Sequence, residues 1–252
     1  MLLLCPWIKR IAVSPAVPHR TLTVLLVFAL AIVTVPARPE SPSAAPGQVE
    51  ALEKVLHALL AGHADSLSDA GQFLHLANVY LDLGDAYTDE NKRRESYEQG
   101  AKVAQRALAL EPSNAEAHYL YAANVGSAAQ LQGMMASALT VNEIKSHVKR
   151  ALELNPDYAP ALHMMGMMYE ELPWFLGGDG EAALTHVQHA VTVDPQYTHA
   201  RLDLAKLYLK RRNASAARQE LQTIMSGSPR PGTNDQRYRQ EARQLLASLP
   251  TK

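Results

Sequence analysis

Four segments of this chain close in the same way, and that repetition limits its fold more than any other feature. They are Ala107-Leu-Ala-Leu-Glu-Pro112, Ala151-Leu-Glu-Leu-Asn-Pro156, Ala190-Val-Thr-Val-Asp-Pro195 and a looser Ile224-Met-Ser-Gly-Ser-Pro229. A proline has no amide proton and clashes with the preceding turn, so each one closes a helix. The next helix follows within a few residues, as in Pro112-Ser-Asn-Ala-Glu-Ala117. Units that recur in this way cannot bury their own apolar faces and must cover one another. No long run alternates with period two, so the expected fold is all-helical.

After each closing proline the residues fall into register: an apolar residue, two spacers, an apolar and a small residue, two spacers and another apolar residue. One copy reads Leu162, Met165, Gly166, Tyr169 and the next Leu204, Ala205, Tyr208; upstream are Phe73, Leu76, Ala77, Tyr80 and, more loosely, His118, Tyr121, Ala122, Val125. This pattern resembles the tetratricopeptide repeat, a helix-turn-helix unit of about 34 residues. The resemblance covers Asp69 to Pro229 and implies an α-solenoid of about four repeats, near 69–112, 113–156, 157–195 and 196–229. A small residue at Gly166 or Ala205 lets the second helix of a repeat approach the first, where Ala183 or Ala217 faces it.

The closing prolines lie 44, 39 and 34 residues apart, so the copies before the last carry insertions. In the first copy, Ala77 to Gly100 spans 23 residues where Ala205 to Ala217 spans twelve. All three insertions fall between the two helices of a repeat and should emerge along one edge of the stack. The second is expected to end at a capping box, Thr140-Val-Asn-Glu143, and the third, Leu172-Pro-Trp-Phe-Leu-Gly-Gly-Asp179, to end with Asp179 capping the next helix. With these insertions, the stretch from Ile144 through Gly178 is similar to divergent repeat proteins: the regulators of microtubule dynamics and the T components of periplasmic TRAP transporters. The second resemblance implies association with a transporter substrate-binding protein and a channel for an apolar ligand.

Val49, Leu52, Val55, Leu56, Leu59 and Leu60 step by three and four and mark a helix ahead of the repeats. Thr233 to Leu249 gives a C-terminal capping helix, with Thr233 or Asn234 as N-cap. Residues 38–47 read as a Pro-, Ser- and Ala-rich linker, so the repeat domain occupies 48–252. Residues 1–37 hold Lys9, Arg10 and Arg20, no acid, and fifteen apolar or hydroxyl residues from Thr21 to Val35, too few to span a bilayer easily. They read as a signal peptide cut near Val35-Pro36-Ala37, or an uncleaved anchor, and point to a periplasmic or secreted protein. Contact with a membrane is expected only through an uncleaved leader. Removing the leader leaves no cysteine, since Cys5 is the only one, and hence no disulfide.

A net charge of −1 over 252 residues argues against a nucleic-acid binder. The charge is nonetheless segregated: seven acids and no Lys or Arg between Ala151 and Ala200, then eleven bases and four acids from Arg201 to Lys252. These are either solvated helix faces or a polarised surface for a partner or a second copy.

In such a stack the concave groove is lined by first-helix positions free of repeat packing. Here those are Leu74 and Asn78, Tyr119 and Ala123, His163, Met167 and Glu170, then His199, Leu202 and Lys206, a mixture suited to a protein or peptide partner. Trp174 and Phe175 either close over the core end or form a rim to this groove. The methionines of His163-Met-Met-Gly-Met-Met168 diverge around a helix and read as adaptable packing rather than a soft-metal site. His186 and His189 lack a third ligand, so no metal site and no cofactor are assigned. No nucleophile elbow or paired carboxylates appear, so the expected function is a non-catalytic binding scaffold. The alternative is a transporter accessory protein that holds a small apolar ligand.

Overall fold

The computed structural model describes residues 47–63, 69–230 and 233–250. The leader and all of the linker but Gly47 lie outside the described residues. Those described are helical, with no strand among them: α1 (Gln48–His63), α2 (Ala70–Ala86), α3 (Glu90–Leu110), α4 (Ala115–Gln132), α5 (Met134–Leu154), α6 (Ala159–Glu171), α7 (Gly180–Val193), α8 (Thr198–Lys210), α9 (Ala214–Ser226) and α10 (Asp235–Ser248). A single 3₁₀ turn, Trp174–Leu176, lies between α6 and α7.

The core is a relay. Phe73, Leu74 and Ala77 of α2 pack with Ala104 and Ala107 of α3 and Leu120 of α4. Ala122 of α4 then joins Ile144 and Val148 of α5 and Met165 of α6. Leu162 of α6 meets Val187 and Ala190 of α7 and Leu204 of α8. Leu202 and Ala205 of α8 meet Leu221 of α9 and Tyr238 of α10. Every cluster passes its apolar face to the next helix pair, the nearest-neighbour burial that makes a helical solenoid. Leu52 of α1 covers Val79 and Leu83 of α2 and begins the series.

The close approach expected at Gly166 is present: a β-carbon there would stand 2.6 Å from Val187 Cγ2 and 3.0 Å from the Ala183 carbonyl. The four clustered methionines divide between two cores, Met164, Met165 and Met168 on one side and Met167 on the other, which accounts for them as packing.

Two of the insertions take a form the sequence reading did not anticipate. The extra residues of the first two pairs lengthen the helices: α3 and α5 each have 21 residues where α9 has 13. Thr140 therefore lies inside α5, its hydroxyl donating to the carbonyls of Ala136 and Ser137, and the helix starts at Met134 after Gly133 instead of at a capping box. Extending two antiparallel helices satisfies every added backbone group, which a loop of the same length would leave to water. Only the third insertion is a loop. There Asp179 caps α7 as expected, accepting from the amides of Glu181 and Ala182.

The C-terminal helix does more than cap. Besides packing on α8 and α9, it reaches back to the start of the array: Arg237 donates to the Asp85 carbonyl at 2.6 Å, and Asn234 bridges Gln48 of α1 and Asp82 of α2. The segregated charges also meet within the fold. Lys210 and Arg211 hold Glu170, and Arg230 holds Asp194, so part of the basic segment neutralises the acidic one.

Candidate functional site

Where the returning α10 lies against α2 and α8, polar and aromatic side chains from five helices and their caps meet. Tyr197, at the N-cap of α8, shares a hydrogen bond with Tyr119 of α4, whose ring meets Tyr158 edge-on at 5.6 Å. His163 of α6 places Nδ1 3.3 Å from the Tyr197 hydroxyl and Nε2 2.9 Å from Asp203 Oδ2. His199, one turn before Asp203 on α8, brings its own Nε2 to 3.3 Å from that same oxygen. The second oxygen, Oδ1, accepts from Lys206 at 3.0 Å, and Lys206 also pairs with Glu241 of α10 at 2.9 Å. Tyr238 stacks flat on His199, with ring centroids 4.2 Å apart.

The electrostatics follow from burial and pairing. Partial burial lowers the His199 imidazole, against the pull of Asp203. Burial alone would raise the Asp203 carboxyl; His199, His163 and Lys206 outweigh it and hold the group well below the usual carboxylate range. Burial and the neighbouring Asp85 push Asp82 up to about 7, despite a hydrogen bond from Asn78. Burial likewise raises Tyr119 and lifts Tyr197 and Tyr238 well above their ordinary value.

The ten predicted groove residues separate. Leu74 and Leu202 are core residues, 7% and 0% exposed, because α3 and α4 cover the first and α9 and α10 the second. Ala123 is also buried, and Met167 packs half-buried against the α6–α8 core. Glu170 is occupied by Lys210 and Arg211, whose hydrogen bonds and charges lower its pKa against the effect of burial. Asn78 is exposed and donates to Asp82 at 3.0 Å. Tyr119, His163, His199 and Lys206 are the four that converge.

Sequence reasoning missed Asp203, Tyr197, Tyr238 and Arg237. Asp203 was legible, being four residues after His199 and three before Lys206 on one helix face. The other three depend on the return of α10 and on repeat caps meeting across the array. The weak pair His186 and His189 does not assemble: His186 bonds the Ala182 carbonyl, and His189 pairs with Asp157.

A different surface lies at the α6–α7 edge. Trp174 and Phe175 are 84% and 67% exposed, their rings set edge to face at 5.9 Å, and Leu176 beside them is also exposed. Gly177 follows in the left-handed region, and a β-carbon on Gly178 would fall 1.8 Å from the Leu172 carbonyl, so the loop that presents these rings requires both glycines. Of the two sequence expectations for the rings, closure over the core is not what the structure shows.

Comparison with known proteins agrees with this architecture. The family model for regulator of microtubule dynamics protein 1-3 matches residues 46–172, and that for the tetratricopeptide repeat matches 176–231. Regulator of microtubule dynamics protein 1 from Bos taurus is 30% identical over 78% of this chain and 67% of its own length; the protein of the same name from Mus musculus is 30% identical over 72% and 65%. The chain thus spans about two thirds of these relatives. Among solved structures, a thermophilic tetratricopeptide repeat protein from Thermus thermophilus superposes with a TM-score of 0.58 at 18% identity, over 79% of this chain and 91% of that one. With a helical relay core, lengthened first repeats and this family match over half its length, the chain belongs to the regulator of microtubule dynamics protein 1-3 family and is built on tetratricopeptide-type repeats.

Proposed function

We propose that the chain is a non-catalytic scaffold that captures a protein partner, with Trp174 and Phe175 as the anchoring side chains. The observation that carries this reading is their exposure. Large apolar rings held out on a glycine-shaped loop lose the gain of burial, about 25 cal/mol per Å² of apolar surface, until something covers them. Tryptophan is also among the residues that dominate protein interfaces. The cluster beside α10 supports the same choice, since Tyr119, His163, His199 and Lys206 are engaged with neighbours in the chain itself. A carrier of a small apolar ligand would need an apolar interior, whereas the residues that meet here are tyrosines, histidines, aspartates and an arginine. In this reading the leader over residues 1–37 exports the chain or tethers it, supported by the apolar run from Thr21 to Val35.

Crosslinking in intact cells from a photoreactive residue at position 174 tests the reading. It should trap a specific protein, and Trp174→Ser with Phe175→Ser should weaken capture of that protein by about tenfold or more with helical circular dichroism unchanged. Capture at full strength by the double variant would remove the aromatic edge from consideration. For the partner class that the relatives' names indicate, sedimentation with polymerised microtubules gives a direct answer.

A further inference from the structure

The three groups around Asp203 Oδ2 are arranged as ligands of one ion. We propose that His163, His199 and Asp203 form a binding site for a divalent cation of the zinc type. Their ligand atoms all lie within 4.8 Å of one another, and the two imidazole nitrogens stand 2.9 and 3.3 Å from the carboxylate oxygen. Ligands at about 2.0–2.2 Å from a metal, at angles between square and tetrahedral, are themselves separated by about 2.9–3.4 Å. Two imidazoles with one carboxylate suit zinc and its first-row neighbours rather than calcium or magnesium, which prefer oxygen alone.

The surroundings supply what a metal site needs beyond its ligands. Tyr197 faces His163 Nδ1; a proton on that nitrogen turns the lone pair of Nε2 toward Asp203, the orienting role an outer partner plays for a metal-bound histidine. Two electron-rich atoms 2.9 Å apart then require an electropositive centre between them, a proton or a cation. Asp203 Oδ1 is fixed by Lys206, leaving Oδ2 for the ion. The nearby cations have carboxylates of their own, Lys206 with Glu241 and Arg237 with Asp85, which limits their repulsion of a metal. His163 and Asp203 are buried, but the His199 side chain is 36% exposed, which leaves solvent a route to the remaining coordination positions. The ligands come from α6 and α8, so the ion would clamp two neighbouring repeats beside α10.

The test uses the full chain, stripped with chelator and titrated with Co²⁺ and then Zn²⁺, with the visible bands of bound Co²⁺ as readout. One Co²⁺ per chain, displaced by Zn²⁺, is expected, and His199→Gln and Asp203→Asn should each weaken binding by about tenfold or more. His118 and His147, whose Nδ1 atoms lie 3.0 Å apart on α4 and α5, are the competing pair, so His147→Gln serves as the control and should bind as the parent does. If Asp203→Asn fails to fold, His199→Gln decides alone, because its side chain is partly exposed. Absence of Co²⁺ uptake by the parent, parental affinity in His199→Gln, or loss of the ion in His147→Gln would each overturn the site.

Discussion

Beside α10, one carboxylate of Asp203 gathers two imidazoles and an ammonium within 3.3 Å, whereas at the α6–α7 edge Trp174 turns 84% of its surface to solvent. The first region consists of groups that are costly to bury, made tolerable by one another. The second consists of groups that gain by burial and have been left outside. A buried polar network holds its parts in one geometry and penalises the loss of any member. An exposed aromatic pair is indifferent to folding and matters only when something docks. Under the proposed function, stability and recognition are therefore carried by different parts of the same solenoid.

The sharpest way to break this contrast is Asp203→Ala, which leaves His163, His199 and Lys206 without their shared partner. It should cost about 3–5 kcal/mol in urea unfolding, a loss the edge cannot match. Next, Arg237→Ala removes the link from α10 to the Asp85 carbonyl and the cation that most lowers the Asp85 carboxyl, for about 1–3 kcal/mol by the same measurement.

Asp82 gives a smaller effect with a definite sign. Its carboxyl titrates near 7 in the folded chain and near its ordinary value of 3.8 when unfolded. Between those values the folded state keeps a proton that the unfolded state has released, so stability falls as the pH rises through that window and levels off above it. Asp82→Asn should thus stabilise the chain by on the order of 1 kcal/mol at pH 8 and by nothing below pH 4, as thermal melts at the two pH values will read. The smallest effect belongs to the edge: Trp174→Ser with Phe175→Ser should shift stability by no more than about 0.5 kcal/mol. A large shift would mean that the rings belong to the core after all.

The fold was readable because its signal is local and repeated. Proline-closed helices, the Gly166 and Ala205 small positions and the leucine steps of α1 each state their role within a few residues. The insertions were readable in number but not in form, since the same extra residues can make a loop or two longer helices, and only packing against the adjacent pair decides. The site beside α10 was half visible: the His199, Asp203 and Lys206 spacing lies in one helix, but its meeting with His163, Tyr119 and Tyr238 needs contacts between helices far apart in sequence. The assignment of Leu74 and Leu202 to a groove failed for the same reason, because what covers a helix face in a solenoid is set by how neighbouring and terminal helices dock.

The hydrogen bonds that join Asn234 and Arg237 to residues more than 150 positions earlier alter how the molecule can move. An ordinary row of stacked repeats behaves as a spring, stretching along its length and peeling from either tip. Here the two tips are stitched together, so neither can fray without the other.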